Sequence, residues 1–228
     1  MNLSQLTSAA QQFTNDIQGS RYAGLYTGAL NIAQDQFAMD AKCTFKDMVV
    51  QYIVAGQSAY PLPADFMWEK LVLLNGLMLP PMSRYNLALS YTGSRWDQVT
   101  GTPNSYTIDP DVARQQILLV PIPQANDAGK DLQMTYFALP ADLVNPNDIP
   151  FNGNTLLNEY HLGVAAWAAW YLLQSEDVTE AVAAKKKDLL AIYNDCVSQC
   201  SDQFKNTVSE PLRMRGVRNY TWDYSNPL

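Results

Sequence analysis

The stretch "AYPLPADFMWEKLVLLNGLML", residues 59–79, decides the fold class because its residue types suit a prolyl turn and a β-hairpin rather than a helix. Within it, Asn75-Gly76 separates the apolar runs "KLVLL" and "LML". Both residues tolerate positive φ, which a type I′ hairpin turn requires at its two central positions. The stretch holds no nucleophile beside a base, no glycine-rich phosphate loop and no metal-ligand spacing, so we expect it to supply shape rather than chemistry.

The β pattern extends on both sides of this hairpin, from Thr44 to Pro150, where proline and glycine clusters punctuate short apolar runs. The candidate strands are "MVVQYIV", Ser105–Ile108, Gln116–Val120 and residues 132–137, and a short helix is possible at residues 83–89. Several strands at this spacing suggest a small sandwich or barrel. We therefore assign residues 43–150 to a mostly antiparallel, β-rich insertion.

The N-terminal segment, residues 1–42, has helical periodicity and predicts a helical hairpin. One apolar face ends before Gly19, and Ser20 is the predicted N-cap of a second helix that runs to about Ala41. The first face comprises Leu3, Leu6, Ala10, Phe13 and Ile17, and the second Tyr22, Tyr26, Ala29, Leu30, Ala33 and Phe37.

Helical periodicity returns in residues 151–205, which we interpret as closing helices that pack with residues 1–42 as one bundle. Asp177 and Glu180 fit a capping box at the start of the last long helix. The predicted fold class is thus α+β: a helical bundle with an inserted β domain and an extended C-terminal tail. The predicted buried positions of the bundle include Leu25, Leu30, Phe37, Leu157, Val164, Ala168, Leu189 and Tyr193.

Composition limits the partners of the chain. It has 228 residues, of which 47% are hydrophobic and only 16% charged, so some uncharged surface is expected to be buried by partners. A net charge of −7 argues against nonspecific nucleic-acid binding, which depends on Lys and Arg. The most apolar run, residues 162–173, is shorter than the roughly 20 residues of a membrane span, and no membrane partner is expected.

Residues with reactive side chains are few. His161 is the only histidine and lies in an apolar helical run, so a core position is favoured over catalysis. Cys43, Cys196 and Cys200 are too few for a disulfide scaffold, and core packing is favoured over a metal site. With no secretory signal at the start, they indicate synthesis in a reducing cytoplasm. Neither a cofactor nor a metal is predicted.

Four aspartates stand beside prolines, where an Asp side chain commonly stabilises turns. They are Asp109, Asp111, Asp142 and Asp148, and nothing in their spacing predicts a carboxylate pair for acid/base catalysis.

The last segment, residues 206–228, loses periodicity and is locally basic and aromatic. Arg, Tyr and Trp are enriched at interface hot spots, so we expect it to dock on protein. A disordered end and binding of single-stranded nucleic acid are the alternatives. The candidate docking residues are Arg213, Arg215, Arg218, Tyr220, Trp222 and Tyr224.

The order of several short motifs resembles the head-to-tail adaptor (connector or neck) proteins of tailed bacteriophages. The motifs are "YTGALNIAQDQFA", "YPLPADF", Trp96 with "GTPNSYTI", "ILLVPIP" and "LQMTYFALPADL", which span about residues 22–173. The resemblance implies a virion protein that forms a ring of about a dozen copies below the portal. Such a ring extends the channel through which genomic DNA passes without specific binding, and it presents a platform for tail or neck proteins.

Two other functions remain open from the sequence. One is another phage neck or tail-completion ring protein, such as a stopper. The other is a cytoplasmic small-ligand binding module or hydrolase with its site in the β region, which the single histidine disfavours.

Overall fold

A computed structural model describes residues 1–47, 51–91, 95–109, 115–177 and 179–208, with side chains as far as Phe204. The chain is α+β, as predicted. The helices are α1 (Leu3–Thr14), α2 (Tyr26–Ala41), α3 (Arg84–Ser90), α4 (His161–Leu172) and α5 (Glu180–Val208). The strands are β1 (Phe45–Asp47), β2 (Gln51–Tyr52), β3 (Ala59–Pro61), β4 (Phe66–Leu74), β5 (Leu77–Met78), β6 (Ser105–Ile108), β7 (Gln116–Val120) and β8 (Asp131–Ala138).

Helix α4 is the centre of the helical part, since α1, α2 and α5 all pack against it. Its sequence is apolar on every side, as expected of a helix with neighbours all round. The shared core includes Leu30, Phe37, Leu157, Val164 and Tyr193, all predicted to be buried. Ala168 and Leu189 are buried as well, as predicted.

Leu25 and Ile17 were predicted to face this core, and both predictions are wrong, since 57% of Leu25 and 79% of Ile17 are exposed. Helix α1 already ends at Thr14, where Asn15 adopts φ 59°. Ser20 is not the cap of α2, because that helix begins at Tyr26.

Asp16 stabilises the turn that follows α1, where the sequence periodicity predicted helix. Its carboxylate accepts hydrogen bonds from the backbone N–H groups of Ser20, Arg21 and Tyr22 and from the hydroxyl of Tyr26. Burial alone would raise the pKa of Asp16, but these hydrogen bonds together lower it.

The cap of α5 was also assigned to the wrong residue. Thr179 accepts a hydrogen bond from the backbone N–H of Val182 at 3.3 Å, in place of the predicted box between Asp177 and Glu180.

The β part consists of two antiparallel sheets that share an apolar core. One sheet has the order β1-β8-β4-β5, with β2 also paired to β8, and the other has the order β3-β7-β6. Strand β8 alternates between buried and half-buried side chains along its length, as a strand with one face on a core should. Leu74 and Met134 from the first sheet meet Tyr60 and Leu119 from the second in this core.

The hairpin at Asn75-Gly76 is confirmed. Leu74 pairs with Leu77 across the turn, and Asn75 and Gly76 have φ values of 49° and 78°. The predictions of β6, β7, β8 and the short helix α3 are also confirmed, and Ser83 caps α3 by accepting from the N–H of Asn86 at 3.1 Å.

Candidate interaction surfaces

His161 lies at the start of α4 and is fully buried, as predicted. Its Nδ1 atom is 2.7 Å from the amino group of Met1, and its Nε2 atom has no hydrogen-bond partner among the described residues. Burial and the charge of that amino group lower its pKa to about 4, so the ring is neutral at pH 7. Its ring also packs against Phe151, with centroids 5.9 Å apart. These contacts assign His161 to the core rather than to proton transfer.

The three cysteines are free thiols in the helical core, which confirms the core-packing interpretation. Cys43 and Cys200 are buried, and Cys196 packs against the same core. A hydrogen bond with Cys43, together with burial, raises the pKa of Cys200. The Cys200 thiol therefore stays protonated and inert near neutral pH. Within the described ranges, no group of three or more His, Cys, Asp or Glu side chains is arranged to hold a metal ion.

The proline-flanked aspartates occupy separate places. Asp148 accepts from the backbone N–H groups of Asn145 and Val144, which lower its pKa, so it stabilises a turn as predicted. Asp109 forms an ion pair with Arg84 at 2.7 Å. Asp142 is exposed, and Asp111 lies outside the described residues.

A cavity of about 320 Å³ lies beside α3, in the part of the chain where a small-ligand site was considered. The Arg84–Asp109 ion pair contributes to its lining, and Asp97 there is paired with Arg95. The cavity lining contains neither histidine nor cysteine. Each charged side chain of the lining is therefore held in an ion pair, and no nucleophile–base pair is formed from them.

Helix α2 has two apolar faces on opposite sides. The inner face carries Leu30 and Phe37, which are fully buried. The outer face, here called the outward stripe, carries Leu25, Ile32 and Met39, which are 57%, 45% and 37% exposed and stand seven residues apart. A seven-residue repeat of exposed apolar side chains is typical of a helix that packs against another helix. This spacing is visible in the sequence, but our assignment of Leu25 to the core obscured it.

Two other elements also expose large apolar side chains, here grouped as the hairpin patch. It comprises Leu77 and Met78 on β5 and Tyr85 and Leu89 on α3, each more than half exposed. Among the described strands, β5 pairs only with β4, so its other edge is available for pairing. Apolar side chains beside a strand edge form a surface suited to another protein.

All six predicted docking residues of the C-terminal segment lie outside the described residues: Arg213, Arg215, Arg218, Tyr220, Trp222 and Tyr224. The described chain reaches that segment through the end of α5, where Phe204 contacts Phe45 at the start of β1, with ring centroids 6.3 Å apart.

Comparison with known proteins gives one positive finding. The family model described as the SU10 adaptor protein matches residues 1–215. No curated protein matches the chain. Among the described residues, every helix is too short or too polar to cross a bilayer.

Proposed function

Because the chain belongs to the SU10 adaptor protein family, we propose that this phage adaptor forms a ring of about a dozen copies beneath the portal. The ring extends the DNA channel and provides the platform on which tail or neck proteins attach. The observation that carries the proposal is the family match, which covers 215 of the 228 residues. The protein is synthesised in the host cytoplasm and becomes part of the virion neck.

The exposed surfaces support a role in assembly. The outward stripe and the hairpin patch expose large apolar side chains on different elements. A cyclic ring requires two different, complementary patches on each subunit, and a platform requires a further surface for the next protein in the neck. The hairpin patch supplies that further surface.

The charge distribution supports passage of DNA without binding. The net charge is −7, so the chain as a whole carries more negative than positive charge. An acidic lining repels phosphates, whereas a basic lining would retain them through counterion release.

The C-terminal segment is the proposed attachment to the portal or to an adjacent adaptor. Truncation after Thr207 should leave the melting temperature of the free protein nearly unchanged, because the described residues before it already form an apolar core in each part. It should weaken attachment to portal rings, which binding measurements with purified portal will detect. Undiminished affinity of the truncated protein would contradict the docking role.

Two alternatives are separated from this proposal by experiment. A stopper or other neck-ring protein would bind the assembled neck but not the bare portal, so mixing purified protein with purified portal rings distinguishes it. A small-ligand module would use the cavity beside α3 and would remain monomeric. Electron microscopy of the portal mixture should reveal rings mounted on the portal; a monomer that never joins it would count against the proposal.

A further inference from the structure

The outward stripe contains a small residue and an acidic one between its apolar members. Gly28 and Asp35 alternate with Leu25, Ile32 and Met39 at spacings of three and four residues. A Cβ atom on Gly28 would meet no atom within 4 Å, so the surface there is open. This is the heptad pattern of a helix–helix seam, with room for a partner to approach closely.

Asp35 places a carboxylate oxygen without a hydrogen-bond partner in this seam. Its Oδ1 atom is buried and has no hydrogen-bond partner in the described part of the chain. Burial raises the pKa of Asp35 to about 6, and the nearby charge of Asp142 contributes in the same direction. Hydrogen bonds hold Asp142 close by, because Asn31 and Gln34 of α2 bind the backbone of Leu143 and Ala141. Neither Asp35 nor Asp142 forms an ion pair within the described residues, so the seam lacks a cation.

A cationic segment lies at the start of α5. Lys185, Lys186 and Lys187 follow one another there, and none of them forms an ion pair within the described part of the chain. Ala181, Ala183 and Ala184 beside them are exposed. Small side chains beside long cationic ones allow a helix to approach an apolar seam while its charges reach flanking carboxylates.

The α5 helix of the same chain lies behind α2 and does not cover the stripe. Tyr193 of α5 packs against Phe37 at 5.9 Å and donates a hydrogen bond to Asp40 at 2.6 Å. Phe37 is on the inner face of α2, directly opposite the outward stripe. Only the α5 of another molecule can reach that stripe.

We propose that the start of α5 of a second copy covers the outward stripe of α2 with the exposed face that carries Ala183, Ala184 and Lys187. Lys187 then faces Asp35 and Asp142, and Lys185 and Lys186 lie at the two flanks of the contact. The contact joins two different surfaces of the same chain, which is the kind of interface from which cyclic rings are built. The inference rests on the proposed adaptor function, which supplies the ring but does not specify the residues at its lateral contact.

Charge reversal on each side of the contact tests the inference in the full chain. One variant carries Asp35→Lys and Asp142→Lys, and the other carries Lys185→Glu, Lys186→Glu and Lys187→Glu. Each alone places like charges opposite one another and should weaken self-association on portal rings by at least about tenfold. A 1:1 mixture should assemble again, with the two variants alternating around the ring, as native mass spectrometry or sedimentation velocity will measure.

A matched control for the aspartate variant changes the charge by the same amount elsewhere. Asp47→Lys with Glu159→Lys alters exposed positions on other elements and should leave assembly between copies unchanged. Circular dichroism should show the same fold for all variants, because every substituted side chain lies at least partly at the surface.

The outcomes separate this inference from the proposed function. If the wild-type protein forms no ring with or without portal, the proposed function fails and the inference fails with it. If wild-type rings form but the charge-reversed variants assemble normally, or their mixture does not recover, only the inference is overturned. Rings that depend on residues 209–228 and are insensitive to the charge reversals would assign the stripe to the C-terminal segment instead.

Discussion

Replacing Gly163 with alanine tests the close contact between α4 and α5. A Cβ atom at this position would lie 2.7 Å from Cys196 Cβ, 3.2 Å from Cys196 Sγ and 3.3 Å from Phe37 Cε2. The nearest of these atoms is attached directly to the backbone of α5, so the two helices must separate. Such overpacking costs about 1–3 kcal/mol, whereas alanine in place of glycine in a helix contributes about 1 kcal/mol. We expect the free energy of unfolding to fall by up to about 2 kcal/mol.

Gly28→Ala is the matched control, because a Cβ there meets nothing within 4 Å and the change should raise stability by up to about 1 kcal/mol. Denaturant titration followed by circular dichroism, at a concentration where the protein is monomeric, measures both variants. Adding Cys196→Gly should relieve the effect of Gly163→Ala, but adding Cys196→Ala should not, because it keeps the Cβ atom. If Gly163→Ala proves as stable as Gly28→Ala, the helices do not approach as described.

Three further predictions concern the two cores. Ala168→Asp should make the protein aggregate on expression, because Ala168 is fully buried and an unpaired carboxylate there is costly; a stable, monodisperse variant would refute the helical packing. Gly76→Val should destabilise the β part by about 1–3 kcal/mol, since Gly76 has φ 78° and valine is strained there, and an unchanged melting curve would remove the hairpin claim. Lys130→Met should cost about 1–3 kcal/mol at pH 7, because Lys130 pairs at 2.6 Å with the fully buried Asp127. Burial alone would raise the pKa of Asp127, but the hydrogen bonds from Lys130 and Gln124 hold it below 3.8. The difference in the free energy of unfolding between Lys130→Met and wild type should therefore shrink as Asp127 becomes protonated below about pH 4.

Local chemistry was sufficient to predict most of the β part. Asn75-Gly76 can form few structures other than a tight hairpin, and the prolines around residues 105–108 and 116–120 limit where strands begin and end. Leu30 and Phe37 were likewise predictable, because their spacing places them on one face of α2.

The errors came from interactions that periodicity does not encode. Ile17 continues the apolar spacing of α1, but the hydrogen bonds of Asp16 stabilise a turn there instead. Leu25 has the spacing of a core residue as well as of the outward stripe, and only the packed structure distinguishes the two. Burial and the charge of Asp142, more than a hundred positions away, raise the pKa of Asp35, and no local pattern predicts this proximity.

The most direct test of the adaptor function is electron microscopy of the purified full chain mixed with purified portal rings of the same phage. We predict a second ring of about a dozen copies stacked coaxially on the portal, with an open central channel. A protein that remains monomeric, with portal rings left bare at saturating concentration, would contradict the central claim.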